Sequence, residues 1–212
     1  MLNGVFKSLY PMVTMIAMAI GASAQSAPVV DIKSVSVEKV RCYDPYDKLD
    51  GYRLVISVHR QDTILRTPAN VYNLDMLKDL PDSFRLILID KLLQFKGDTS
   101  RCCKKIGMFY YDGIERTCYG KPKSSYFSIQ IDALFMINKI VYPFGTSLYS
   151  CRPVVVNPRT KKELNERHGE IIKYYKVYER SYRAAREKGR LDETFRFNTR
   201  RYAWFGAAFM HD

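Results

Sequence analysis

Residues 161–189, KKELNERHGEIIKYYKVYERSYRAAREKG, carry the clearest helical pattern in this chain of 212 residues. Apolar and aromatic side chains recur there at intervals of three or four positions, at Leu164, His168, Ile171, Tyr175, Tyr178, Tyr182 and Ala185. This spacing lays them along one stripe of a helix, so we predict a helix over residues 161–188. Gly189 is the expected C-terminal stop, because glycine accepts the left-handed backbone that ends many helices.

The tyrosine stripe of this helix permits two interpretations. We favour a core-facing stripe, since any helix that packs on a core needs this spacing, over a docking face for a partner helix or a sugar. Basic residues on the same helix form either an anion-binding surface or a solvated face: Lys173, Lys176, Arg180 and Arg183. Two pairs of opposite charge four residues apart are expected to offset part of this charge: Glu163–Arg167 and Glu179–Arg183.

Upstream of this helix, the hydrophobic pattern predicts both strands and helices. Strands are expected over residues 32–41 and 52–58 as an antiparallel pair, and over 126–131 and 153–156. Asp112-Gly113 predicts a two-residue turn between strands 106–111 and 114–119. Helices are expected over residues 81–95 and 131–142. Hairpins together with separated helices predict an α+β fold, with two or three helices in a single domain over residues 25–212.

The first 24 residues resemble a secretory signal peptide. Lys7 supplies a basic start, residues 12–20 are mostly apolar, and Ala22-Ser23-Ala24 is a small-residue cleavage site. The apolar run is much shorter than the ~20 residues that span a bilayer, and no transmembrane segment is expected in the mature chain. We therefore expect cleavage after Ala24 and a secreted or periplasmic protein.

Five cysteines are candidates for disulfides, which persist outside the cytoplasm: Cys42, Cys102, Cys103, Cys118 and Cys151. The sequence does not select among their pairings, and an odd number leaves one thiol over. Basic neighbours of Cys102-Cys103 would favour a thiolate, which suggests a small cysteine-dependent enzyme as an alternative. Such a nucleophile needs a histidine base, and the candidates are His59, His168 and His211. No metal-ligand spacing occurs, and no cofactor is expected.

The charge of the chain is strongly positive, with 34 Lys and Arg against 22 Asp and Glu, a net charge of +12. Residues 152–212 hold 15 Lys and Arg against 8 Asp and Glu, so the last part is the more basic. This excess favours anionic partners. The expected partners are an anionic envelope component, a polysaccharide or an acidic protein, whereas nucleic acid is disfavoured because no recognition motif accompanies the charge.

The C-terminal run is the best sequence candidate for a ligand surface, combining arginines with aromatic residues: Arg196, Arg200, Arg201, Tyr202, Trp204 and Phe205. Aromatic faces and guanidinium groups suit carbohydrate, peptide or polyanion contact, but the aromatics equally suit a final strand that closes the core. No catalytic constellation is evident. We therefore expect a non-catalytic binding module, with a cysteine-dependent enzyme or an assembly component of the cell envelope as alternatives.

Overall fold

The N-terminal part of the fold is a long β-hairpin. In the computed structural model, which describes residues 31–45, 48–68, 74–106, 121–142, 152–191 and 195–207, strand β1 (Ile32–Asp44) pairs antiparallel with β2 (Leu49–Arg60). A short strand, β3 (Ile64–Arg66), pairs with the end of β2, which gives the sheet order β1-β2-β3. The predicted antiparallel pair is confirmed, with both strands longer than predicted.

Several predictions concern residues outside the described ranges. These are the signal peptide over residues 1–24, most of the hairpin around Asp112-Gly113, and the side chains of Cys118, Cys151 and His211. They remain predictions. The described residues all belong to one compact unit, which begins at Asp31.

The described part of the chain contains three α-helices, the first two of which contact the strands of the hairpin, so the predicted α+β fold is confirmed. A short 3-10 helix (Asp75–Leu77) precedes α1 (Asp82–Leu93), followed by α2 (Ile129–Val141) and α3 (His168–Lys188). Helix α2 begins two residues before its predicted start, because the Ser128 carbonyl accepts the backbone N–H groups of both Ile131 and Asp132. No helix in the described part of the chain has the length and apolarity to span a membrane.

Helix α2 lies at the centre of the core, since every one of its residues is buried. It contacts α1, β2 and α3. Its four polar or charged side chains are therefore buried as well, namely Gln130, Asp132, Asn138 and Lys139. Buried polar groups need hydrogen-bond partners, and the next helix supplies two of them, His168 beside Gln130 and Tyr178 to Asn138.

Helix α3 begins seven residues later than predicted, because its upstream residues pair with a strand. The second sheet contains β4 (Val155–Val156) and β5 (Ala203–Trp204), joined antiparallel. Leu164 donates its N–H to the Val155 carbonyl at 2.8 Å, and the Asn165 side chain accepts the Val155 N–H at 2.9 Å. These bonds hold residues 164 and 165 against β4, so the helix begins only at His168. Gly189 ends α3 in the predicted left-handed conformation, with φ of 66°.

Candidate functional site

The inner face of α3 is lined by buried tyrosines that hydrogen-bond to the rest of the core. Tyr174 donates its hydroxyl to the Phe197 carbonyl at 2.6 Å, and Tyr175 donates to the Gln130 carbonyl at 2.7 Å. Burial raises the pKa of both hydroxyls well above 10, so they remain neutral donors. The core interpretation of the stripe is confirmed except at His168, which is exposed, and the buried stripe includes Tyr174, which the predicted spacing missed.

Tyr178 joins three elements through one hydroxyl group. It donates to Oδ1 of Asn138 on α2 at 2.6 Å and accepts the indole N–H of Trp204 on β5 at 2.8 Å. All three side chains are buried, and desolvation raises the pKa of the Tyr178 hydroxyl. This network fixes the rotation of α3 about its axis, and therefore fixes which residues of α3 face outward.

The outward face of α3 carries a row of basic side chains. They are separated by three, four and three residues, and all are exposed: Lys173, Lys176, Arg180 and Arg183. With a rise of ~1.5 Å per residue, the row extends about 15 Å along the helix. Neighbouring charges are separated by about 4.5 to 6 Å along the axis.

The prediction that Glu163–Arg167 and Glu179–Arg183 form ion pairs that offset this charge is wrong. The Glu179 carboxylate pairs with Lys96 of the segment after α1 at 2.8 Å, while Arg183 Nε donates only to the Glu179 backbone carbonyl, at 3.4 Å. The Glu163 carboxylate accepts the backbone N–H groups of residues 123 and 124 at 2.7 and 2.6 Å. Both carboxylates are used in tertiary contacts, and the member of the row that does pair with a carboxylate is Lys173, with Glu170 at 2.8 Å.

The C-terminal segment brings further arginines alongside α3. The Ser181 hydroxyl donates to the Arg196 carbonyl at 2.7 Å and accepts the Arg196 N–H at 3.2 Å. Five residues later, Arg201 makes an ion pair with Glu170 in the first turn of the helix. The segment therefore runs antiparallel to α3 along one side of it.

We call the combined set the basic face: Lys173, Lys176, Arg180, Arg183, Arg196, Arg200 and Arg201. All of these residues are exposed. Glu170 adjoins the set through its ion pair with Arg201, and Glu187 follows Arg180 and Arg183 at helical spacing. Positive charge is therefore in excess along this face, as the sequence predicted for the last part of the chain.

The aromatic residues predicted beside these arginines are divided between core and surface. Tyr202 and Trp204 are buried, and the Trp204 ring meets Phe135 of α2 edge-on at 5.3 Å between centroids. Their rings close the core, which corrects the assignment of the rings as ligand contacts and supports the packing alternative, while the Tyr202 hydroxyl reaches Glu170 at the edge of the core. Phe205 is half-buried, with the Arg152 guanidinium 5.9 Å from its ring centroid.

Glu170 is the point at which α3 and the C-terminal segment are joined. Its carboxylate accepts hydrogen bonds from Lys173 Nζ at 2.8 Å, from Arg201 Nη2 at 2.9 Å and from the Tyr202 hydroxyl at 2.9 Å. The Lys173 hydrogen bond, with those of Tyr202 and Arg201, lowers the pKa of Glu170 from 4.5 to about 2 despite partial desolvation. Desolvation and the same carboxylate raise the pKa of Tyr202 to about 12.

The structure pairs two of the five candidate cysteines, Cys42 and Cys103, in a disulfide with their Cα atoms 6.1 Å apart. Cys42 lies opposite Gly51 on β2, and Gly51 in turn lies beside the segment from Arg101 to Cys103. A Cβ atom at Gly51 would lie 2.4 Å from the Arg101 carbonyl oxygen, so a side chain there is excluded. The missing side chain lets this segment approach β2 closely, next to the bridge.

Cys102 is the free thiol among the described cysteines, and it is fully buried. Desolvation, followed by the charge of Asp132, raises the pKa of this thiol, which opposes the thiolate that its basic neighbours suggested. Asp132 is itself buried and accepts hydrogen bonds from Lys104 Nζ at 3.0 and 3.2 Å. This arrangement is typical of a structural ion pair and an unreactive thiol.

Of the histidines in the described ranges, His59 and His168, neither hydrogen-bonds to this thiol. His168 is exposed at the start of α3, where its Nδ1 lies 3.2 Å from the amide nitrogen of Gln130, and His59 is half-buried on β2. Within the described ranges, no group of three or more His, Cys, Asp or Glu side chains has the geometry to hold a metal ion.

Comparisons with known proteins add no further information on this chain. No family model, curated protein or solved structure matches it. The basic face and the hydroxyl network beneath it are therefore the features of the molecule from which a function is inferred.

Proposed function

We propose that this protein is a non-catalytic binding module that holds an anionic macromolecule on the basic face. The observation that carries the proposal is the juxtaposition of two basic segments that are distant in sequence. Helix α3 contributes four exposed cations, and the C-terminal segment contributes Arg196, Arg200 and Arg201 beside them. A row of like charges repels itself, and an anionic ligand relieves that repulsion while gaining electrostatic attraction.

The rigidity of the support strengthens this proposal. The buried hydroxyl network of Tyr174, Tyr175 and Tyr178 fixes α3 in the core, and Ser181 and Glu170 fix the C-terminal segment to α3. Charges on rigid elements keep their spacing when the ligand is absent, so less ordering entropy is lost on binding.

We propose that the protein performs this function outside the cytoplasm. Its support is the Cys42–Cys103 disulfide, because such bonds persist mainly in oxidising compartments. The signal-like pattern of residues 1–24 points in the same direction. The cysteine-dependent enzyme finds less support, since Cys102 is buried and its pKa is raised.

The proposal is tested by charge reversal of the three C-terminal arginines. The R196E/R200E/R201E variant and the unchanged protein are titrated with heparin, polygalacturonate and polyglutamate at two salt concentrations. We expect salt-sensitive binding by the unchanged protein and at least tenfold weaker binding by the variant, about threefold for each charge removed. A matched variant reverses three exposed basic residues on another surface, Arg159, Lys161 and Lys162, and is expected to bind normally. Equal weakening by both variants would reject the basic face as the binding surface.

A further inference from the structure

At one end of the basic face, three donors converge on a single carboxylate. Arg201 approaches Glu170 through Nε at 3.2 Å and Nη2 at 2.9 and 3.1 Å, so one guanidinium contacts both carboxylate oxygens. Lys173 Nζ and the Tyr202 hydroxyl complete the set at 2.8 and 2.9 Å. A planar guanidinium and a carboxylate are matched in shape, which gives this arrangement selectivity for carboxylates.

We propose that Arg201, Lys173 and Tyr202 form a carboxylate-binding site that Glu170 fills in the free protein, and that a carboxylate of an acidic polysaccharide displaces Glu170 from it. This inference rests on the proposed function, because it assigns a ligand class and a point of contact to the basic face.

The exposure of Lys173, Arg201 and Glu170 makes this exchange feasible, while the buried Tyr202 contributes its hydroxyl group from the edge of the core. The side chains of Lys173 and Arg201 are 53% and 59% exposed, and that of Glu170 is 22% exposed. Glu170 lies in the first turn of α3, so rotation about its side-chain bonds moves the carboxylate into solvent without any change of backbone. The incoming carboxylate then accepts the same hydrogen bonds, and the rest of its chain lies along uncompensated cations.

The composition of the basic face favours a polysaccharide over a membrane or a protein partner. Helices that bind membrane surfaces insert an apolar face, and protein interfaces centre on apolar and aromatic anchors. Of the large apolar side chains that are exposed in the described residues, a single one, Ile172, belongs to α3. Tyr202 and Trp204 are buried and offer no stacking surface for bases. A polysaccharide with a carboxylate on each unit needs only the charges that this face supplies.

The test compares two variants that change the net charge equally. E170Q removes the internal carboxylate, and E187Q removes an exposed carboxylate further along the same helix. Affinity for polygalacturonate oligomers is measured by calorimetry, and thermal unfolding verifies that each variant is folded. We expect E170Q to bind about fivefold more tightly than E187Q, and R201Q to bind about fivefold more weakly than the unchanged protein.

Each remaining outcome overturns a defined part of the proposal. Equal affinities of E170Q and E187Q would show a general charge effect and would reject the Glu170 site, while leaving the basic face intact. Tighter binding of polyglutamate, or of vesicles containing phosphatidylglycerol, than of polygalacturonate would reject the polysaccharide assignment. Absence of binding to polygalacturonate, heparin and polyglutamate by the unchanged protein would reject both this inference and the proposed function.

Discussion

The two faces of α3 differ in how their polar groups are placed: those of the inner face are buried and hydrogen-bonded, and those of the outer face are exposed and charged. On the inner face, buried tyrosine hydroxyls donate to partners on α2 and on the C-terminal segment. On the outer face, four cations stand in a row, of which Lys173 pairs with Glu170, whereas the expected partner of Arg183, Glu179, pairs with Lys96. Polar groups of this helix stabilise the fold where they are buried and hydrogen-bonded, and the exposed charges on the opposite face are those that we propose for binding. Mutations on the two faces should therefore separate stability from binding.

The largest expected effect comes from the inner face, at Trp204. Trp204→Ala removes a fully buried ring that packs on Phe135 and donates to Tyr178, so we expect the free energy of unfolding to fall by about 3 to 5 kcal/mol. Chemical denaturation measures this loss. Trp204→Phe keeps most of the packing and should be clearly less destabilised. A loss below 1 kcal/mol in Trp204→Ala would contradict a closely packed inner face.

A smaller loss is expected from the hydroxyl group of Tyr178. Tyr178→Phe keeps the ring but leaves Oδ1 of Asn138 and the indole N–H of Trp204 without this partner. Unsatisfied buried groups cost about 1 to 3 kcal/mol, and we expect a loss in that range by denaturation. Tyr43→Phe is the matched control, because Tyr43 is 60% exposed, and it should leave stability unchanged.

The inner face was largely predictable from the sequence, because its spacing is a local property. Ile171, Tyr175 and Tyr178 follow the helical period, and Gly189 marks the end of α3. The start of the helix was not predictable, since bonds between Val155 and residues 164 and 165 decide it. Those bonds join residues whose pairing depends on the tertiary fold.

The outer face was predictable in its composition but not in its assembly. Lys173 to Arg183 and the C-terminal arginines stand out as basic segments in the sequence. Their proximity depends on the path of the C-terminal segment, which Ser181 and Glu170 determine. The burial of Tyr202 and Trp204 was likewise undecided, because aromatic residues suit both a closing strand and a ligand surface.

A still smaller loss of stability is expected at Glu170, the residue of α3 whose carboxylate binds Arg201 and Tyr202 of the C-terminal segment. Its pKa is lowered from 4.5 to about 2, so its contribution to stability is present above pH 4.5 and is lost as the pH falls towards 2. We expect E170Q to be less stable than the unchanged protein by up to about 1 kcal/mol at pH 6 and nearly equal to it at pH 2. Melting curves across this range measure the difference. A difference independent of pH would contradict the proposed ionised contact.

The smallest effect on stability is expected from the basic row on the outer face of α3. Exposed substitutions away from caps and networks usually change stability by less than about 0.5 kcal/mol. The K176Q/R180Q/R183Q variant should therefore melt close to the unchanged protein. A marked fall in its melting temperature would assign these residues a structural role and would remove the distinction between the two faces.

The same variant gives the most direct test of the basic face as a binding surface. Its affinity for polygalacturonate is measured against salt concentration beside that of the unchanged protein. The account predicts that the variant binds at least tenfold more weakly at low salt, with a shallower dependence on salt, at an unchanged melting temperature. Equal affinity and an equal salt dependence would contradict it, because the outer row of α3 would then take no part in binding.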